Sequence, residues 1–168
     1  MKQQHKVILG AGVLLYILYR ITVNSMRKKF AKILPRMIIR MDSSGSGKFG
    51  SSRGGGTRAH AGVDYLCTPG ETIYSPVDAV VIRSAKPYAN DPNYSGLVLK
   101  NADFEFKLFY MKGTPGIIGK TVRAGDPIGT AQDISAKYGG SMQPHIHLEM
   151  RGAGAQLLNP ETNYFWSN

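Results

Sequence analysis

The hydrophobic and polar positions divide the chain into three regimes. Residues 7–19, VILGAGVLLYILY, are an unbroken apolar run that reaches Val23 if Arg20 snorkels. A helix over 7–23 spans about 26 Å at roughly 1.5 Å per residue, the short end for a hydrocarbon core of about 30 Å. The pattern predicts a transmembrane anchor over residues 1–24. A cleaved signal peptide fits the apolar length, but no small-x-small cleavage site follows; a buried core helix is the third option. Over 25–41, Phe30, Ile33, Leu34, Met37 and Ile38 recur at helical spacing, while Lys28, Lys29, Lys32, Arg36 and Arg40 fall mostly off that stripe. This predicts a basic amphipathic juxtamembrane helix on an anionic lipid surface, kinked or interrupted at Pro35. A charged stalk with incidental periodicity is the plainer alternative.

Beyond residue 41 the pattern changes. The run DSSGSGKFGSSRGGGTR, 42–58, is rich in Gly and Ser without hydrophobic periodicity, and reads as a linker and lead-in loop. Residues 59–168 alternate as short strands punctuated by turns. ETIYSPVDAVVIRS breaks at Ser-Pro, GLVLKNADFEFKLFYMK turns at Asn-Ala-Asp, TVRAGDPIGTAQ turns at Gly-Asp-Pro, and PHIHLEMR is a further strand. No helical repeat stands out, so the expected fold class is mainly β, an antiparallel sheet or sandwich behind an N-terminal membrane helix.

Charge refines this picture. The net charge is +10, but residues 1–41 hold nine Lys/Arg and no acid, whereas 42–168 hold twelve Lys/Arg against eleven Asp/Glu. The β domain is nearly neutral, which argues against nucleic acid as a partner. The basic collar after the apolar run also favours keeping the domain on the cytoplasmic side. The single cysteine, Cys67, excludes an intramolecular disulfide; its spacing from Asp64 puts it on the other face, as a small buried residue.

Candidate chemistry concentrates in two stretches. In QPHIHLEM, His145 and His147 project to one side of a strand while Ile146 and Leu148 face the core. In RAHAGVDY, His60 and Asp64 stand four apart, and Gly62 keeps the space between them clear. Two imidazoles and a carboxylate with a fourth position left for water form the pattern of a catalytic zinc site. A backbone-bonded loop histidine and a turn-capping aspartate are the plainer readings of His60 and Asp64. Glu149 shares the face of both histidines and could orient His147. Tyr88, Tyr94 and Tyr138 lie in loop-like stretches and could stack on a peptide or sugar.

GKFGSSR, HAGVD, GETIYSPVDAVV, VRAGDPIGT and PHIHLE follow one another in the order and spacing of a known family. From about residue 46 to 165 the chain resembles the lysostaphin-type, LytM-like zinc endopeptidases, which cut peptidoglycan peptides. The resemblance implies zinc held by His60, Asp64 and His147, with His145 as the unligated catalytic imidazole. One departure stands out: where family members carry another histidine on a central strand, LFYMKG places Met111. Strand alternation puts Tyr110 and Lys112 on the opposite face from it. HAGVDYLCTPG, AKPY and FKLFYMK resemble the leukocyte cell-derived chemotaxin branch, regarded as binding proteins on the same zinc-bearing fold. The expectation is a membrane-anchored zinc endopeptidase in a bacterial envelope or the internal membrane of a phage virion, with a zinc-stabilised binding module of weak or no catalysis as the alternative.

Overall fold

The computed structural model describes residues 12–14, 16, 29–162 and 165–167. Alternating burial along the strands builds a seven-stranded sheet. Across it run Thr121–Val122, Ala79–Ala85, Gly96–Lys100, Glu105–Phe109 and His145–Arg151, each antiparallel to its neighbour. The free edge of His145–Arg151 is shared by Val63–Leu66 at its start and Leu157–Leu158 at its end. A second sheet pairs Met111–Gly113 with Pro127–Ala131 and that strand with Thr72–Tyr74. Phe106 and Leu108 from one central strand and Ile146, Leu148 and Met150 from the next are fully buried, in one core with Ile73 and Ile128 of the small sheet. Burying each such side chain contributes about 1.5–3 kcal/mol. The expected antiparallel β class is therefore observed.

The N-terminal expectations are corrected. The apolar run lies outside the described residues, except for 12–14 and 16. Among the described residues no helix is long and apolar enough to cross a membrane. Among the described residues, the membrane-anchored location, and the envelope or virion setting built on it, therefore finds no spanning helix to support it. Residues 29–41 do not form the amphipathic helix. Lys29–Ala31 is a short strand parallel to Phe165–Ser167, and Ile39 bridges to Tyr65. Phe30, Ile33 and Leu34 are buried in the core, not turned to a lipid surface. The backbone explains why: Ile33 and Ile38 carbonyls accept hydrogen bonds from Tyr74 and Leu66, and Arg40 N–H donates to the Asp64 carbonyl at 2.8 Å. Pro35 denies a helix its own bonds, and the domain edge supplies others.

The stretch 42–58 is likewise not a bare linker. Met41–Asp42 pairs with Gly45–Ser46, and Ser52–Arg53 with Arg58–Ala59. Between these hairpins Gly47 lies so close to the next layer that a Cβ there would stand 2.8 Å from Asp64 Cβ. Asp64 N–H donates to the Gly47 carbonyl and Gly50 N–H to that of His60, both at 2.9 Å, so this run lies directly on the candidate site.

Candidate metal centre

The sheet register sets the site. Asp64 stands directly opposite His147. In His145–Arg151 the core face takes Ile146, Leu148 and Met150, which leaves His145, His147 and Glu149 together on the other face. His60, just before Val63–Leu66, folds back over Asp64. In the sequence, Gly62 keeps the space between these two clear. Its tighter constraint is the neighbouring strand, since a Cβ at Gly62 would meet the Leu148 carbonyl oxygen at 2.3 Å.

Three candidate ligand atoms meet. His60 Nε2 lies 3.0 Å from Asp64 Oδ1 and 2.9 Å from His147 Nδ1, and His147 Nδ1 lies 2.8 Å from Asp64 Oδ1. His60 Nδ1–H donates to the Lys48 carbonyl at 2.9 Å, which leaves Nε2 with its lone pair turned inward. One hydrogen, on His147 Nδ1, then has to serve three contacts. A divalent cation among the three atoms satisfies all of them, and tetrahedral zinc ligands at 2.0–2.1 Å stand roughly 3.3 Å apart. The donor set fits zinc, and these are the only His, Cys, Asp or Glu side chains among the described residues that converge in this way.

The surroundings fix charge and orientation. Burial alone would raise the Asp64 carboxyl, but its imidazole neighbours, the hydrogen bond from His147 foremost, hold it far below the usual carboxylate range. Its other oxygen, Oδ2, accepts from Arg40 Nη2 at 3.1 Å and Arg53 Nη2 at 3.2 Å. Arg40, expected on a solvent or lipid face, is 1% exposed. Burial tends to lower His147, but the hydrogen bond to Asp64 and the nearby Glu149 carboxylate outweigh it and raise it. Glu149 Oε1 stands 3.6 Å from His147 Nε2, on the side away from the three-atom cluster. His145 remains apart from the triad, with Nε2 3.8 Å from Asp64 Oδ1. Its Nδ1–H donates to the Gln143 carbonyl at 2.7 Å, so Nε2 is the acceptor facing the site, and burial lowers its basicity.

A cleft of about 260 Å³ opens over these groups. Tyr88 and Tyr138 line it, together with Tyr110, Arg53 and Arg58. Tyr94 is not on the cleft; it packs edge-on against Tyr88 and donates to the Asp133 carbonyl at 3.2 Å. Tyr110 and Met111 do face opposite ways, as alternation expects, but it is Tyr110 and not position 111 that faces the cleft. Tyr110 has φ 65°, a left-handed corner between Glu105–Phe109 and Met111–Gly113, and it lines the cleft together with Phe109. Met111 is fully buried in the core. Nothing in the strand pattern signals such a corner at a non-glycine residue. Cys67 is half-buried, away from the cleft, and burial with the charges of Glu71 and Asp133 pushes its thiol up to about 12.

Comparison with known proteins agrees with this architecture. The profile of peptidase family M23 matches residues 58–160. Leukocyte cell-derived chemotaxin-2 of Bos taurus is 32% identical over 109 residues, 64% of this chain and 69% of its own. Among solved structures, Helicobacter pylori Csd3 superposes with a TM-score of 0.58 at 20% identity, over 83% of this chain. This chain spans only 36% of that larger protein. The catalytic domain of the antimicrobial peptidase lysostaphin from Staphylococcus simulans gives a TM-score of 0.51 at 19% identity, over 67% of this chain and 85% of that domain. The solved structures share the fold.

Proposed function

The chain belongs to peptidase family M23, and on that footing we propose that it is a zinc metalloendopeptidase hydrolysing amide bonds in peptidoglycan peptides. The observation that carries the reading is the convergence of His60, Asp64 and His147 within 3.0 Å beneath an open cleft, with His145 beside them but outside the cluster. His60, Asp64 and His147 would hold the ion; Arg40 and Arg53 hold Asp64 by its outer oxygen so that Oδ1 stays aimed inward. A zinc ion there supplies a Lewis acid that polarises a carbonyl and brings the pKa of a water to about 7. His145 Nε2 takes the proton from the attacking water and returns it to the departing nitrogen.

One observation favours a second reading, a zinc-held binding module that cleaves weakly or not at all. Position 111, where the resemblance expects a histidine, is a methionine sealed in the core. The test uses the full chain: metal content, then turbidity loss of purified peptidoglycan with the native protein and His145→Ala. The peptidase reading expects one zinc per chain in both, and clearing that falls about 10²–10⁴-fold in the variant. Bound zinc without clearing by the native protein selects the binding module; absence of zinc binding refutes both.

A further inference from the structure

Tyr110 is held in an uncommon conformation by bonds that have no evident purpose in the core. At φ 65° it occupies a region that side chains other than glycine rarely adopt, and such residues cluster where function fixes them. The corner is clamped on both sides. Tyr110 N–H and Met111 N–H both donate to the Ser95 carbonyl, at 2.9 and 3.2 Å, and the Tyr110 carbonyl accepts from Gln132 N–H at 2.8 Å. Ser95 Oγ closes the turn on the Met111 carbonyl at 2.9 Å. The result is that Phe109 and Tyr110, adjacent in sequence, both line the cleft.

The ring stands edge-on to His145 with centroids 5.1 Å apart, and lies nearly parallel to Tyr88 at 6.1 Å. The hydroxyls form a row: Tyr138 to Tyr88 at 3.0 Å and Tyr88 to Tyr110 at 3.2 Å. Each phenol has one hydrogen. If the exposed Tyr138 donates to Tyr88 and Tyr88 donates to Tyr110, the hydrogen of Tyr110 is left for an acceptor in the cleft. Burial raises the pKa of this phenol, so it remains a donor at neutral pH.

We propose that the Tyr110 hydroxyl donates a hydrogen bond to the carbonyl oxygen of the scissile amide as that oxygen becomes negative, supplying from the corner what Met111 cannot. This rests on the peptidase reading. As the water oxygen bonds to the carbonyl carbon, its proton passes to His145, and the C=O π pair moves onto the oxygen that Tyr110 faces. Tyr110 keeps its proton. The C–N bond then breaks with its electron pair on nitrogen, nitrogen takes the proton from His145, and the carbonyl re-forms. Donors of this kind are worth about 10²–10³ in rate.

Tyr110→Phe removes only the hydroxyl; ring, volume and backbone requirement stay the same. In the full zinc-loaded chain it should lower kcat about 10²–10³-fold with KM within about threefold, and leave bound zinc and melting temperature unchanged. A phosphinate analogue of the amide, which carries the oxyanion permanently, should bind the variant weaker by a similar factor, whether or not cleavage is measurable. Equal kcat and equal phosphinate affinity in the two proteins would overturn the proposal while leaving the peptidase intact, as would a loss accompanied by loss of zinc. A native protein that neither cleaves peptidoglycan peptides nor binds the phosphinate would remove both together.

Discussion

Replacing Arg40 with Met keeps the length and much of the apolar stem of the side chain and deletes its charge, which isolates electrostatics from packing. Arg40 is 1% exposed and its guanidinium reaches Asp64 Oδ2 through Nη2 at 3.1 Å and Asp42 Oδ1 through Nη1 at 2.5 Å. The Asp64 side chain is 4% exposed, so losing a partner leaves a buried carboxylate short of compensation. Breaking a buried pair from one side costs about 3–5 kcal/mol. The lower end applies, because Arg53 remains on the same oxygen at 3.2 Å and Asp42 lies nearer water. A loss of about 3 kcal/mol in a domain of this size lowers the melting temperature by roughly 6–12 °C. Urea denaturation of metal-free protein, native against Arg40→Met, reads the difference as a shift of midpoint at constant slope. A double cycle with Arg53→Met should show coupling well above 0.5 kcal/mol, because both guanidiniums serve one oxygen. If Arg40→Met unfolds within about 0.5 kcal/mol of native, the carboxylate does not need its buried cation and the account of the site's electrostatics fails.

Three further outcomes follow from the same geometry. Gly62→Ala forces a Cβ into the Leu148 carbonyl, a backbone atom that cannot swing away, so it should cost about 3 kcal/mol or more in urea and reduce bound zinc. Asp42 is lowered by its bonds to Arg40 and the Gln143 N–H despite partial burial. A depressed carboxyl contributes stability above its unfolded pKa of about 3.9 and loses it as pH falls through the folded value. Unfolding free energy in Asp42→Asn should therefore fall less than in native protein below about pH 4, and an equal fall would refute that linkage. Cys67, with its thiol pushed up to about 12, should react with iodoacetamide at pH 8 far more slowly in the folded chain than in urea, a difference mass spectrometry reads directly.

How much of this was legible in the sequence depends on the range of the interaction. His145 and His147 were placed on one face by alternation alone, because the strand period of two is local and Ile146, Leu148 and Met150 anchor the other face. The β class followed from the same alternation. The stripe at Phe30, Ile33 and Leu34 fitted a helix equally well, but its true partners are strands far along the chain, and no local period reports those. Arg40 looked like one more surface cation because one of the two acids it pairs with, the buried Asp64, is 24 residues away. Alternation separates Tyr110 from Met111 correctly, but it does not show that Tyr110 joins Phe109 in the cleft, because a left-handed corner breaks the strand there without a glycine to announce it.

Residues 40–53, which precede the matched region, are therefore part of the site. The family match begins at residue 58, yet Arg40 and Arg53 hold Asp64, the Lys48 carbonyl sets the tautomer of His60, and Gly47 closes on Asp64. All four lie upstream of the match. Deleting residues 1–41 removes Arg40, the Phe30–Ile33–Leu34 portion of the core and the strand that pairs with Phe165–Ser167. The bare 42–168 fragment would retain every proposed zinc ligand and lose the cation that faces Asp64 from behind. It should bind metal with lower affinity and unfold at lower urea than a fragment beginning at residue 29. Equal stability and equal zinc affinity in the two fragments would show instead that residues 29–41 only decorate a domain complete without them.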